Sequence, residues 1–137
     1  MKLPEKIIDT NVILRFFLAD NEKEFLKTKE FFGRLEFGED EALLTEIVFV
    51  EVIWVLHKVY GIPRKEICLK YKQLLDYKGI KTVFSKEIFL ESLNLYALHS
   101  IDIQDIFLAV LAKDKDSLII SFDKTDFKKL KANFAEP

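Results

Sequence analysis

From end to end the chain alternates between short apolar runs that stop at a polar residue and longer stretches with apolar groups at helical spacing. No other feature restricts its fold as much, because parallel strands need long crossovers, usually helices, and a sheet so built is covered on both faces. Lys6-Ile7-Ile8 stops at Asp9, and the residues after it predict a helix carrying Val12, Ile13, Leu14, Phe16, Phe17 and Leu18. A second helix is expected from about Glu22 to Leu35, with Phe25, Leu26, Phe31, Phe32 and Leu35 inward and a stop near Gly38. Ala42-Leu43-Leu44 reads as a short buried strand, and Thr45 as the N-cap of a helix that is apolar nearly all round from Ile47 to Leu56 and ends near Gly61. Pro63 suits the first turn of another helix, closed by Gly79.

The second part repeats the pattern. Ile80 to Phe84 is expected as a strand, Ser85 as an N-cap, and Glu87 to Leu98 as a helix. Asp102 caps a helix through about Lys113, Leu118-Ile119-Ile120 forms a buried strand, Lys124 to Leu130 a short helix, and Asn133-Phe134 a last strand. With no repeat, linker or break in composition, residues 1–137 read as a single α/β domain.

Half of the 137 residues are hydrophobic, 13 of them Phe, which is enough apolar surface for a packed core and excludes a disordered polymer. The formal net charge of -2 argues against a strongly basic packaging protein, so any nucleic acid must be held by a local patch or through metal ions. The single cysteine, Cys68, cannot form an intrachain disulfide and reads as a small core residue, and His57 and His99 stand too far apart for a zinc site. Neither histidine shows a nucleophile–base arrangement. No apolar leader follows Met1, and the longest apolar run, Ile47 to Leu56, is interrupted by Glu51 and too short to span a bilayer. A cytoplasmic protein without a membrane partner is the expectation.

In an open parallel sheet, sites gather at the carboxyl ends of the strands. Asp9 and Asp123 both stand there, although an Asp after a strand is also a common cap or turn former. Glu51 lies in the middle of the apolar helix, where a carboxylate taken out of water would cost several kcal/mol unless paired or bound to a cation; the ordinary alternative is a solvated stripe near His57 or Lys58. Glu46, at the helix start, is explained by the dipole. Asp102 and Asp105 frame the start of another apolar helix, Asp102 as a cap and Asp105 on a face shared with Leu108, Ala109 and Ala112, so Asp105 is assigned the functional role.

Together, Asp9-Thr10-Asn11, the Thr45 to Glu51 stretch, Asp102-Ile103-Gln104-Asp105 and the Ser121 to Phe127 segment resemble the PIN-domain ribonucleases, especially the VapC toxins of prokaryotic toxin–antitoxin pairs. The resemblance covers nearly the whole chain, in order. It implies a three-layer α/β/α PIN-like fold around a central, mainly parallel sheet of four to five strands. It also implies an acidic pocket of Asp9, Glu51, Asp105 and Asp123, supported by hydrogen bonds from Thr10 or Asn11 and from Ser121, with Asp126 as an extra or substitute ligand. An endoribonuclease acting on RNA, a homodimer, and a small antitoxin partner whose tail would wrap the protein follow from the same resemblance.

An all-oxygen set of carboxylates suits Mg²⁺ or Mn²⁺ rather than zinc. Such an ion lowers the pKa of a bound water and stabilises charge on the oxygens of a phosphodiester under attack. Three other readings stand beside this one: a PIN-like nuclease acting on DNA or structured nucleic acid, a Mg²⁺-binding phosphoacceptor receiver domain, and a binding module without activity. The receiver reading lacks a Lys after the last core strand and has no role for Glu51. Residues 113–131 are locally positive by two and offer either a phosphate-contacting rim or a solvated face, and Arg15 could reach phosphate or a partner. The Phe residues at 25, 31, 32 and 37 read as core or subunit interface.

Overall fold

The expected alternation is present in the computed structural model, which describes residues 2–137. The elements fall into two units, the first ending at Phe84 and the second spanning Ser85–Pro137.

The first unit contains α1 (Thr10–Leu18), α2 (Glu22–Glu36), β1 (Ala42–Leu43), α3 (Glu46–Trp54), α4 (Arg64–Leu75) and β2 (Ile80–Lys81). β1 and β2 pair in parallel with Ala42 opposite Ile80, and Ile7 bridges Leu43, also in parallel. The Ile8 N–H donates to the Leu43 carbonyl at 3.0 Å and the Leu43 N–H to the Lys6 carbonyl at 2.8 Å, so β1 is flanked on both sides. Thr45 caps α3 as its sequence position implies, its Oγ1 accepting from the Val48 N–H at 3.2 Å. A π-helical turn, Val55–Val59, extends α3 to Gly61, whose φ of +67° ends it. His57 Nδ1 reaches the Ile62 carbonyl at 3.0 Å across that turn, a structural role.

The core of this unit is built from Ile13, Leu14, Phe32, Leu35, Leu44, Phe49, Val52, Ile53, Leu56, Ile67, Tyr71 and Leu74. Each large aliphatic or Phe side chain so buried contributes about 1.5–3 kcal/mol. Tyr71 is fully buried and anchors the centre: its ring meets Phe17 edge-on at 5.2 Å and Phe49 at 4.8 Å, and its hydroxyl donates to the Phe49 carbonyl at 3.2 Å. Cys68 is buried, as expected for a small core residue.

The second unit contains α5 (Lys86–Leu98), α6 (Ile103–Asp114), β3 (Ile119–Ile120), α7 (Thr125–Lys129) and β4 (Phe134–Ala135), with β3 and β4 parallel. Its core lies between α5 and α6, where Ile88, Phe89, Leu93 and Tyr96 face Ile103, Ile106, Phe107 and Val110. Phe127 adds the buried side of α7.

Several expectations change. The central sheet of four to five strands is not shown: the described residues form two parallel pairs of two-residue strands, one in each unit, with Ile7 bridging the first pair. The strand expected over Ile80 to Phe84 stops at Lys81 because the chain turns there, the Thr82 hydroxyl donating to the Phe84 carbonyl at 2.6 Å. The strand at Leu118 to Ile120 is not buried: Leu118 and Ile120 are exposed and only Ile119 is half-covered. The last strand is Phe134–Ala135 rather than Asn133-Phe134. Leu26 and Phe37 are exposed, whereas Phe25 and Phe31 are half-buried. Pro63 stands at the N-cap of α4 rather than inside its first turn. Ser85 and Asp102 occupy the positions before α5 and α6 but make no side-chain capping bond. Among the described residues, no helix is long and apolar enough to cross a membrane.

Candidate metal centre

Asp105 sits in the first turn of α6, at the edge of the face that buries Ile106, Ala109 and Ala112. It is half-buried, and Leu108, expected on the same inward face, is exposed. Asp123 lies in the loop between β3 and α7. Ser121 Oγ accepts from the Asp123 N–H at 2.9 Å, and Asp123 Oδ1 accepts from the N–H groups of Thr125 and Asp126 at 3.1 and 3.3 Å. One oxygen of Asp123 therefore fastens the start of α7 while the hydroxyl of Ser121 fixes the loop. Asp126 is in the first turn of α7, next to the buried Phe127.

These three side chains converge: one carboxylate oxygen from each of Asp105, Asp123 and Asp126 lies within 4.8 Å of the others. The Asp105 carboxyl is held above its ordinary range, first by burial and then by the charges of Asp123, Asp126 and Asp102. At such separations each like-charge pair costs about 1 kcal/mol in water-like surroundings, which a folded domain tolerates but a bound cation would reverse. The donor chemistry fits a divalent ion: three oxygens from carboxylates, with no sulfur or imidazole, match a hard cation with water completing its coordination. The residues present thus suit a hard divalent cation.

Asp9, Thr10, Asn11 and Glu51 belong to the first unit and are not members of this trio. Asp9 precedes α1 with extended backbone, its carbonyl accepting from the Val12 N–H at 3.1 Å. Its carboxylate is exposed and makes no side-chain capping bond, although Asp9 holds the N-cap position of α1, where a negative charge favours the helix dipole. Thr10 is buried and Asn11 exposed. Glu51 corrects the expectation of a carboxylate withdrawn from water: it is exposed, on the face of α3 opposite Phe49, Val52 and Ile53. That face also carries Ile47, 74% exposed, and Trp54, 47% exposed, so an apolar sequence on all sides is not buried on all sides. Arg15 donates to both carboxylate oxygens of Asp20 at 2.9 and 3.0 Å and to the Tyr60 hydroxyl at 3.4 Å.

Sequence reading ranked Asp126 below Asp123, yet the fold gives them equal standing in the cluster. The signal was present in Asp123-Lys124-Thr125-Asp126, since two acids three residues apart across a helix start project to the same side. The family model of the PIN domain matches residues 6–133 of the chain. Among curated proteins, none matches it.

Proposed function

Because the chain belongs to the PIN-domain family, whose domains are nucleases that generally depend on divalent metals, we propose that it is an endoribonuclease hydrolysing RNA phosphodiester bonds. The observation that carries this reading is the convergence of Asp105, Asp123 and Asp126 within a chain of that family. A divalent cation, Mg²⁺ or Mn²⁺, would supply an activated water and charge neutralisation at the scissile phosphate.

The chain's own residues divide the remaining work. Asp105, whose proton affinity is raised by burial and by the neighbouring acids, supplies one carboxylate. Asp123 offers its second oxygen while its first, with Ser121 Oγ, keeps the loop in place. Asp126 supplies the third carboxylate. Asp9 and Glu51 are assigned to the same acidic set by the family resemblance, with Thr10 and Asn11 in support. The exposed carboxylates of Asp9 and Glu51 are available for that role. The receiver alternative gives way to membership of a nuclease family.

The same resemblance assigns the chain the part of the toxin in a VapBC-type pair, acting in the cytoplasm as a homodimer and restrained by an antitoxin protein. Incubating the purified protein with single-stranded RNA and DNA of one sequence, in Mg²⁺, Mn²⁺ or EDTA, tests the substrate assignment. Metal-dependent cleavage of the RNA alone is expected, and Asp9→Asn and Glu51→Gln should each abolish it. Equal cleavage of the DNA would replace the RNA assignment, and full activity of both variants would remove Asp9 and Glu51 from the site.

A further inference from the structure

Beside the carboxylate trio, on the same short helix, is a cleft of about 490 Å³ lined by Lys124, Thr125, Lys128 and Lys129. It is open to solvent, and three of the four residues that line it are lysines, whose aliphatic stems supply most of the wall. Lys124 is partly committed, its Nζ lying 2.9 Å from Glu136 Oε1. Lys128 and Lys129 are exposed and make no ion pair among the described residues. Lysines in the last turn of a helix do favour its dipole, yet two of them line an open cleft together with Thr125, the residue before Asp126 on the same helix.

The geometry points to a phosphate-binding cleft, formed by Lys128 and Lys129 with Lys124 and Thr125, that seats the backbone of a nucleic-acid strand next to Asp105, Asp123 and Asp126. The ligand chemistry is a chain of phosphodiesters, read through charge and not through bases, so binding is independent of sequence and falls with salt. Glu136 competes for Lys124 and weakens the cleft from within the chain. This inference deepens the nuclease reading and rests on it for the strand's purpose, but not for its binding.

The test is the anisotropy of a labelled short single-stranded RNA in EDTA across a series of KCl concentrations. Lys128→Gln with Lys129→Gln should weaken binding about tenfold at low salt and reduce the log–log salt slope by about 1.4, two phosphate contacts at about 0.7 each. Arg at both positions should restore the slope, and Glu136→Gln should tighten binding by releasing Lys124. An unchanged slope in the double Gln variant would overturn the cleft, as would displacement of the RNA by low-millimolar inorganic phosphate, which would mark a free-anion site. Cleavage by the unaltered protein is followed in parallel with Mn²⁺. Cleavage with no lysine-dependent slope removes the cleft alone, whereas a lysine-dependent slope without cleavage retains the cleft and removes the nuclease reading.

Discussion

Asp105 shows how a single carboxyl can report on its cluster. Its folded-state proton affinity is raised, so the folded state holds the proton more tightly than the unfolded chain does. The stability this contributes is fully present below the ordinary Asp value of about 3.9, and it is lost as pH rises through the raised folded value. In EDTA, thermal melts should therefore show the unaltered protein losing stability relative to Asp105→Asn across that window. Parallel pH profiles for the two proteins would contradict the raised proton affinity of Asp105. Above the window a divalent cation should reverse the difference, adding about 2.7 kcal/mol at a hundred times its Kd. Gly79 makes a second argument at this scale. A Cβ there would stand 2.1 Å from the Asp40 carbonyl and 2.8 Å from that of Leu35, and its N–H donates to the Leu35 carbonyl at 2.8 Å. Gly79→Ala should cost about 3 kcal/mol, the upper end for overpacking, read as a lower urea midpoint with m unchanged. The sequence suggested a helix terminator at Gly79; in fact α4 ends earlier, at Leu75, and Gly79 lets two backbones meet.

At the level of elements, helices were far more legible than strands. α1, α2 and α6 begin and end within a residue or two of where their caps and periodicity put them, because 3.6-residue spacing and caps are local signals. Thr45 is the clearest example, and Thr45→Ala should lower stability by about 1 kcal/mol in a denaturant melt by releasing the Val48 N–H; no change would mean the cap is not used. Strand length depends instead on pairing and on where the next turn closes, which local composition does not encode; hence Ile80 to Phe84 shrank to two residues. The orientation of α3 was hidden for a related reason. Apolar residues at every position of Ile47 to Leu56 except Glu51 leave no periodicity to choose the buried face, and packing through Phe49, Val52 and Ile53 leaves Glu51 outside. The acids of the trio were legible one at a time from their places at element starts. Their convergence required α6 and the turn before α7 to be folded together.

Over the whole molecule, a formal charge of -2 conceals two opposed local fields, a carboxylate cluster and a lysine-lined cleft that adjoin at α7. A metal held by the carboxylates would turn both toward attraction for a polyanion, which is how a mildly acidic chain can act on nucleic acid. The family pattern spans residues 6–133 and so draws on elements of both units. The most direct measurement is the Mn²⁺-dependent cleavage rate of single-stranded RNA by the unaltered protein and by Asp105→Asn, each first shown by circular dichroism to be folded. A fall of at least about 10²-fold in the folded variant is the expected result. Cleavage by Asp105→Asn within a few-fold of the unaltered rate would contradict the assignment of the carboxylate trio as the metal centre.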